Sequence, residues 1–274
     1  MGELYIMKIL FVGDVVGNVG LKTVETYLPQ IKQKVKPQLT IVNGENANGG
    51  KGIKVDDYQR IQVAGADVVS GGNHIWDKRE VLDFIDDPKK NILRPYNFSG
   101  DNVPGRGVIE KKVNQKKVYI INMQGTALMQ PLDNPFLAFD KLLPTLDKDA
   151  VKFVDFHAET TSEKIATAKY LTGRVSAVVG THTHVQTNDA RVFDKKTAYL
   201  TDVGMTGSYD GILGVKDEPI ITRFLTQRPT KFDVDEDGRM QIGFCVIDIN
   251  DQTNYARSIK NYVISPDNQS FLTF

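Results

Sequence analysis

Cysteine occurs once in this chain, tryptophan once and histidine four times among 274 residues. A single thiol, Cys245, excludes a disulfide within the chain and gives no sign of an oxidising compartment. It lies in the alternating apolar run IGFCVIDI, where a small buried core side chain is the simplest reading. An excess of charge of either sign is also missing, because Lys+Arg and Asp+Glu both number 34. That balance removes the general electrostatic reason to bind nucleic acid or an anionic membrane, so no stable nucleic-acid binding is expected. Long hydrophobic runs are absent too. The N-terminal MGELYIMKILFVGD lacks a basic n-region, and its apolar stretch is too short for a signal-peptide core or a membrane span. Gly2 invites acylation, but Ile6 stands where that motif wants Ser or Thr. A cytoplasmic protein without membrane association is expected. Met7 directly precedes the first strand-like run, so residues 1–6 read as an upstream extension. No Pro-, Gly- or Ser-rich linker, repeat or low-complexity tract divides the chain, and residues 1–274 read as one domain.

What is present is an alternation of types. Strand-like runs occur at KILFVG (8–13), QLTIVN (38–43), ADVVSG (66–71), KVYIIN (117–122), KFVDF (152–156) and SAVVG (176–180). They are apolar on both faces, as buried parallel strands are. Helical patterns lie between several of them, at 21–35, 55–66, 78–87 and 161–173. Pro29 should kink or end the first, while Thr160 and Glu163 have capping-box spacing at the start of the last. This alternation predicts an α/β fold. The final third reads differently. ITRFLT (221–226), QIGFCVIDI (241–249) and SIKNYVI (258–264) alternate between turn signals and predict antiparallel hairpins, so two sheets are expected.

Each histidine falls in a short polar cluster directly after a strand-like run. Asp14 follows KILFVG, Glu45 and Asn46 follow LTIVNG, Asn73 and His74 follow DVVSGG, His157 follows KFVDF, and His182 and His184 follow SAVVG. Ligands of parallel sheets bind at the carboxyl ends of strands, so these side chains can converge although they are far apart in sequence. Imidazole and carboxylate suit Fe, Mn and Zn, and the lack of cysteine argues against a structural thiolate site. Two histidines at spacing two would face one site if the segment is extended. Glu45 has two oxygens and could bridge two ions. Taken singly, an Asp after a strand can be a cap and a His a structural hydrogen-bonding residue. Taken together, the clusters are a metal-site signature.

Two other motifs fail. GENANGGKG ends in Gly50-Lys51-Gly52 and lacks the first Gly and the Ser or Thr of a phosphate-binding P-loop. DVDEDG (233–238) begins like a calcium-binding EF-hand loop, but Phe244 stands where the loop requires Glu, so a hairpin turn is expected.

The GNH at 72–74, the His after a strand and the THTH at 181–184 resemble the calcineurin-like metallophosphoesterases. GDVVGNVG (13–20), NGENANGG (43–50), GGNHIWD (71–77), LRPYNF (93–98), DFHAE (155–159), GTHTHVQT (180–187) and YLTDVGMTG (199–207) narrow the resemblance to the YmdB family of bacterial metallophosphoesterases. It runs from about Met7 to the end. The general pattern has Asp-x-His where this chain has Asp14-Val15-Val16, and a bridging Asp where this chain has Glu45; the YmdB-like branch shares both departures.

The resemblance implies a four-layer α/β/β/α sandwich with two central mixed sheets. It implies a first metal held by Asp14, Glu45, His184 and Asn46, and a second held by Glu45, Asn73, His157 and His182. His74 stays off the metals as the catalytic group. Iron is the implied metal, with manganese as a substitute. The implied activity is hydrolysis of phosphodiesters, notably 2′,3′-cyclic nucleotides to nucleoside monophosphates, by a hydroxide bridging the metals. A homo-oligomer, dimer or tetramer, is expected. Two alternatives stand beside this reading: a phosphatase or 3′,5′-cyclic-nucleotide phosphodiesterase on the same site, and a metal- or nucleotide-binding regulator without turnover. Trp76, Arg94 and Tyr96 either line the substrate site or pack ordinarily.

Overall fold

The computed structural model describes residues 6–100 and 102–273. The chain begins with β1 (Ile6–Val12), β2 (Asp14–Val15), α1 (Gly17–Val35), β3 (Leu39–Asn43), α2 (Val55–Val63) and β4 (Val68–Ser70). It continues through β5 (Val108–Val113), β6 (Lys116–Gln124), α3 (Pro135–Leu142), β7 (Val151–His157), α4 (Thr161–Tyr170) and β8 (Ala177–Thr181). The last part holds β9 (Arg191–Phe193), β10 (Thr197–Leu200), β11 (Met205–Ser208), α5 (Asp217–Thr226), β12 (Met240–Asn250), β13 (Ala256–Ile264) and α6 (Ser270–Thr273). Of the segment read as an extension, residues 1–5 lie outside the described residues, and Ile6 already pairs with Asn250 in β1.

Two mixed sheets result. In the first the order is β2-β11-β12-β1-β3-β4, with β13 paired to β12. In it β1, β3 and β4 run parallel, while β12 is antiparallel to β1, β11 and β13. In the second the order is β5-β6-β7-β8-β10-β9, parallel from β6 to β10 with an antiparallel strand at each edge.

Alternation along the strands assigns the layers. In β1, Leu10 and Val12 pack with Leu21, Val24 and Leu28 of α1 and Tyr58 and Ile61 of α2. Ile9 and Phe11 point the other way and meet Phe153, Ala177 and Val179 of the second sheet. Phe11 and Phe153 cross the gap with ring centroids 5.1 Å apart. Beyond the second sheet, Val154 and Phe156 pack on Phe139 of α3 and Ala168 of α4. The layers are therefore helix, sheet, sheet, helix, the order that the resemblance implies. Cys245 is buried between the sheets. Among the described residues no helix is long and apolar enough to cross a membrane.

The structure departs from the sequence reading in three elements. ITRFLT is not a strand but the greater part of helix α5. Asp217 and Glu218 in the first turn favour a helix start, Pro219 is tolerated there, and Gln227 closes the helix in left-handed backbone. Helix α1 runs through Pro29, whose ring lies on the exposed face, where water can take the unpaired carbonyl. The expected helix at 78–87 shrinks to one 3-10 turn, Arg79–Asp83. Pro88 follows it, and the Asp86 and Asp87 carboxylates accept loop amides of Gly105 and Lys89.

Candidate metal centre

The clusters after β1, β3, β4, β7 and β8 meet where the two sheets face each other. Asp14, Glu45 and His157 are fully buried, Asn46 nearly so. One ligand atom each from Glu45, His157 and His182 lies within 4.8 Å of the others. His157 Nε2 is the hub. It stands 2.9 Å from Asn73 Oδ1, 3.2 Å from Glu45 Oε1 and 3.1 Å from His182 Nδ1. These four residues are the ones that the resemblance places on a second metal.

The hydrogen bonds fix each ring. Thr181 Oγ1 donates to Asp155 Oδ1 at 2.7 Å, so at 2.9 Å it accepts from His157 Nδ1–H. The Nε2 of His182 donates to Glu159 Oε2 at 3.0 Å, leaving its Nδ1 lone pair toward His157. His157 Nε2 therefore faces three acceptor atoms, those of Asn73, Glu45 and His182. Burial alone would lower its pKa, but Glu45, with Asp14 and Asp155 nearby, raises it to about 9. In return, although burial would raise the Glu45 carboxyl, the His157 charge and hydrogen bond hold it down at about 2. Burial, followed by that same His157 charge, presses His182 down to about 3.

A second group lies beside the first. Asn46 Nδ2 donates to Glu45 Oε1 at 2.9 Å and is 3.3 Å from His184 Nε2. His184 Nδ1 donates to the Leu213 carbonyl at 3.0 Å, which leaves Nε2 as an acceptor facing the site. Asp14 Oδ2 accepts from the His182 backbone N–H at 2.9 Å, while Asp14 Oδ1 is buried without a partner, and so is Asn46 Oδ1. Burial, opposed by His157, leaves the Asp14 carboxyl well above the usual range.

The donor set fits metal ions. One carboxylate oxygen, one amide oxygen and two imidazole nitrogens lie together around His157, and they are the donor types that would hold such an ion. Two buried oxygens without hydrogen-bond partners, Asp14 Oδ1 and Asn46 Oδ1, fit a cation. Gly72 gives a third sign. A Cβ there would sit 2.2 Å from Glu45 Oε2 and 2.5 Å from His157 Nε2, so only glycine leaves the space open.

The two histidines of THTH are not on an extended segment. β8 ends at Thr181, and His182 and His184 have φ of 100° and 66°, the left-handed region that non-glycine residues rarely occupy. The turn sends them apart, His182 toward His157 and His184 toward Asn46. Thr183 between them is tied down: its N–H and Oγ1 donate to Asp202 Oδ2 at 3.1 and 2.8 Å.

His74 lies beside this cluster and lines the same cavity as Glu45, Asn46, His182 and His184. Its Nδ1 is 2.9 Å from Asp77 Oδ2, and its backbone N–H donates to Glu45 Oε2 at 3.1 Å. Trp76, Arg94 and Tyr96 do not line that cavity. Trp76 packs edge-on against Phe98 with centroids 4.5 Å apart, and Arg94 Nη1 bonds the carbonyls of Pro95 and Tyr96. Sequence reasoning missed Asp77, Glu159, Thr181 and Asp202. All four sit inside motifs of the resemblance, Asp77 in GGNHIWD, Glu159 in DFHAE, Thr181 in GTHTHVQT and Asp202 in YLTDVGMTG, which was the one available signal.

Residues 10–262 match the family described as YmdB-like protein. The chain is 51% identical over 266 residues to the 2′,3′-cyclic-nucleotide 2′-phosphodiesterase of Bacillus subtilis, covering 97% of this chain and 100% of that one. A solved structure of a novel phosphatase from Mycoplasma pneumoniae superposes with TM-score 0.90 at 33% identity, covering 99% of this chain and 98% of the other. A hypothetical protein from Thermus thermophilus gives TM-score 0.88 at 40% identity, over 94% and 99% of the two chains.

Proposed function

This chain belongs to the YmdB-like family, and on that premise we propose that it is a metal-dependent phosphodiesterase that opens 2′,3′-cyclic nucleotides to nucleoside monophosphates. The observation that carries the reading is the convergence of Glu45, Asn73 and His182 on His157 Nε2, with His74 beside them and off the cluster.

We assign Asp14, Glu45, Asn46 and His184 to one metal ion and Glu45, Asn73, His157 and His182 to the other. When bound, such ions supply positive charge to the phosphoryl oxygens and acidify water. Iron is the native metal in this reading and manganese its substitute, in a cytoplasmic homo-oligomer, dimer or tetramer.

The chain's own residues do the rest. Glu159 and Thr181 take the outward N–H groups of His182 and His157, which sets each ring's tautomer and turns its other nitrogen inward. The Leu213 carbonyl does the same for His184. Asp77 holds the His74 ring by Nδ1, so that Nε2 is the atom left for the substrate. His74 Nε2 would then deliver its proton to the ester oxygen as its bond to phosphorus breaks, while water forms the new P–O bond and releases one proton to solvent, from which His74 is reprotonated. The burial of Glu45, Asp14 and His157 strengthens every electrostatic contact made there.

The test is release of adenosine monophosphate from 2′,3′-cyclic AMP by purified protein with manganese, then with excess chelator. Turnover that the chelator abolishes is the expected result. Metal-loaded protein without turnover on this substrate overturns the assignment.

A further inference from the structure

The cavity that holds the candidate centre has a second wall that the chemistry above does not use. Its volume is about 590 Å³, and Ile212, Leu213, Ile220, Phe224 and Phe232 line it with Arg223, together with Glu45, Asn46 and the histidines. Ile220, Arg223 and Phe224 are spaced i, i+3, i+4 on α5 and so share one helix face. α5 has no fully buried residue, so much of that face stays open. Phe224 is 78% exposed, Leu213 46% and Phe232 43%. Scattered exposed apolar residues mean little, but a contiguous set inside a cavity beside catalytic donors marks a binding wall.

The wall is fixed to the centre. The Leu213 carbonyl accepts from His184 Nδ1 at 3.0 Å. The excursion that carries α5 leaves and returns through a bridge between Val215 and Val234, backed by Lys216 N–H to the Asp233 carbonyl at 2.9 Å. Arg223 lies over the Phe232 ring, 5.2 Å from its centroid, and makes no ion pair among the described residues.

We propose that Phe224, Phe232 and Arg223 form the subsite for the nucleobase of the substrate, which they hold by stacking. The inference rests on the phosphodiesterase reading of the same cavity. A substrate phosphate near the histidines leaves its organic substituent facing this wall. The wall offers flat aromatic and guanidinium surfaces and no buried hydrogen-bonding side chain that would read a base edge. Stacking is tolerant of base identity and grows with ring area. The subsite therefore selects for a base, and a purine above a pyrimidine, without demanding one base.

The test compares two cyclic phosphodiesters, 2′,3′-cyclic AMP and base-less glycerol 1,2-cyclic phosphate, on wild type, Phe224→Ala, Phe232→Ala and the double variant. The readout is the ratio of kcat/KM for the two substrates. We expect a fall of about tenfold for each ring removed, mostly through KM for the nucleotide. Calorimetric binding of 3′-AMP gives a readout apart from turnover, and its affinity should fall in parallel. An unchanged ratio with unchanged 3′-AMP affinity overturns the subsite and leaves the phosphodiesterase reading standing. If wild type opens neither substrate, that reading fails instead, and the 3′-AMP affinities alone decide the subsite: a fall in the double variant supports it and equality overturns it. The exposure of Phe224 keeps its removal from threatening the fold.

Discussion

Asp202 Oδ2 stands 2.7 Å from Lys164 Nζ, and neither side chain has any exposed surface. The same oxygen accepts from both the N–H and the hydroxyl of Thr183, and Oδ1 accepts from the Gly204 N–H. A buried ion pair beneath the THTH turn thus holds two left-handed histidines in place. Removing one partner of such a pair leaves an unpaired buried charge, at a cost of about 3–5 kcal/mol. Lys164→Met or Asp202→Leu should each lower stability by that order in urea unfolding, while the combined Lys164→Met, Asp202→Leu change should cost less than the sum. Additive losses would show that the two groups do not act as a pair.

Gly72 predicts the opposite pattern. A methyl group there meets the ends of the Glu45 and His157 side chains rather than backbone. Gly72→Ala should unfold within about 1–2 kcal/mol of wild type in the absence of metal. Its metal content should nevertheless drop, and its activity should fall at least about a hundredfold, as misplacement of about 1 Å does. Full metal content by elemental analysis would sink the idea that this glycine makes room for an ion.

His74 lies off the cluster, so His74→Ala should keep its metal and lose about 10²- to 10⁴-fold in kcat. Asp77→Asn should give a smaller loss, because it disturbs only the ring's hold at Nδ1. Metal loss from the His74 variant would refute the catalytic role.

His157→Ala and His182→Ala should each lower the bound metal by about one ion per chain. Glu159→Gln, which weakens only the outer partner of His182, should keep the ion but loosen it about 10- to 100-fold in competition with a chelator. Identical metal affinity in Glu159→Gln would mean that His182 needs no outside support.

Strand-end residues were the readable part of this molecule. Parallel strands bring their carboxyl ends to one edge whatever the loops do, so Glu45, Asn73, His157 and His182 could be expected to meet. The partners that aim them could not be read so directly. Thr181 meets His157 through the register of β8 on β7, while Glu159 and the Leu213 carbonyl reach their histidines through loop paths that no local periodicity encodes. In α5, Ile-Ile-Thr favours a strand by propensity, and a first turn of Asp217, Glu218 and Pro219 outweighs it. α1 shows the reverse case, where burial of Leu28 and Ile31 keeps a helix going past an exposed proline. Its first turn has no side-chain cap of its own, and Glu236, distant in sequence, accepts the N–H groups of Asn18 and Val19 instead.

The order of strands in the first sheet bears on how the protein acquires its site. β1, which leads directly to Asp14, is flanked by β3 on one side and by β12 on the other, and β2 leans on β11. A growing chain has made Asp14, Glu45, Asn73 and His74 long before residues 205–208 and 240–250 exist to close that sheet. The first ligand strand must therefore wait for almost the last, with an open, apolar sheet edge in the meantime. An N-terminal fragment that ends before β12 carries every histidine yet should not hold metal as the whole chain does. In the proposed assignment the capacity to bind metal is expected only once the C-terminal hairpin docks.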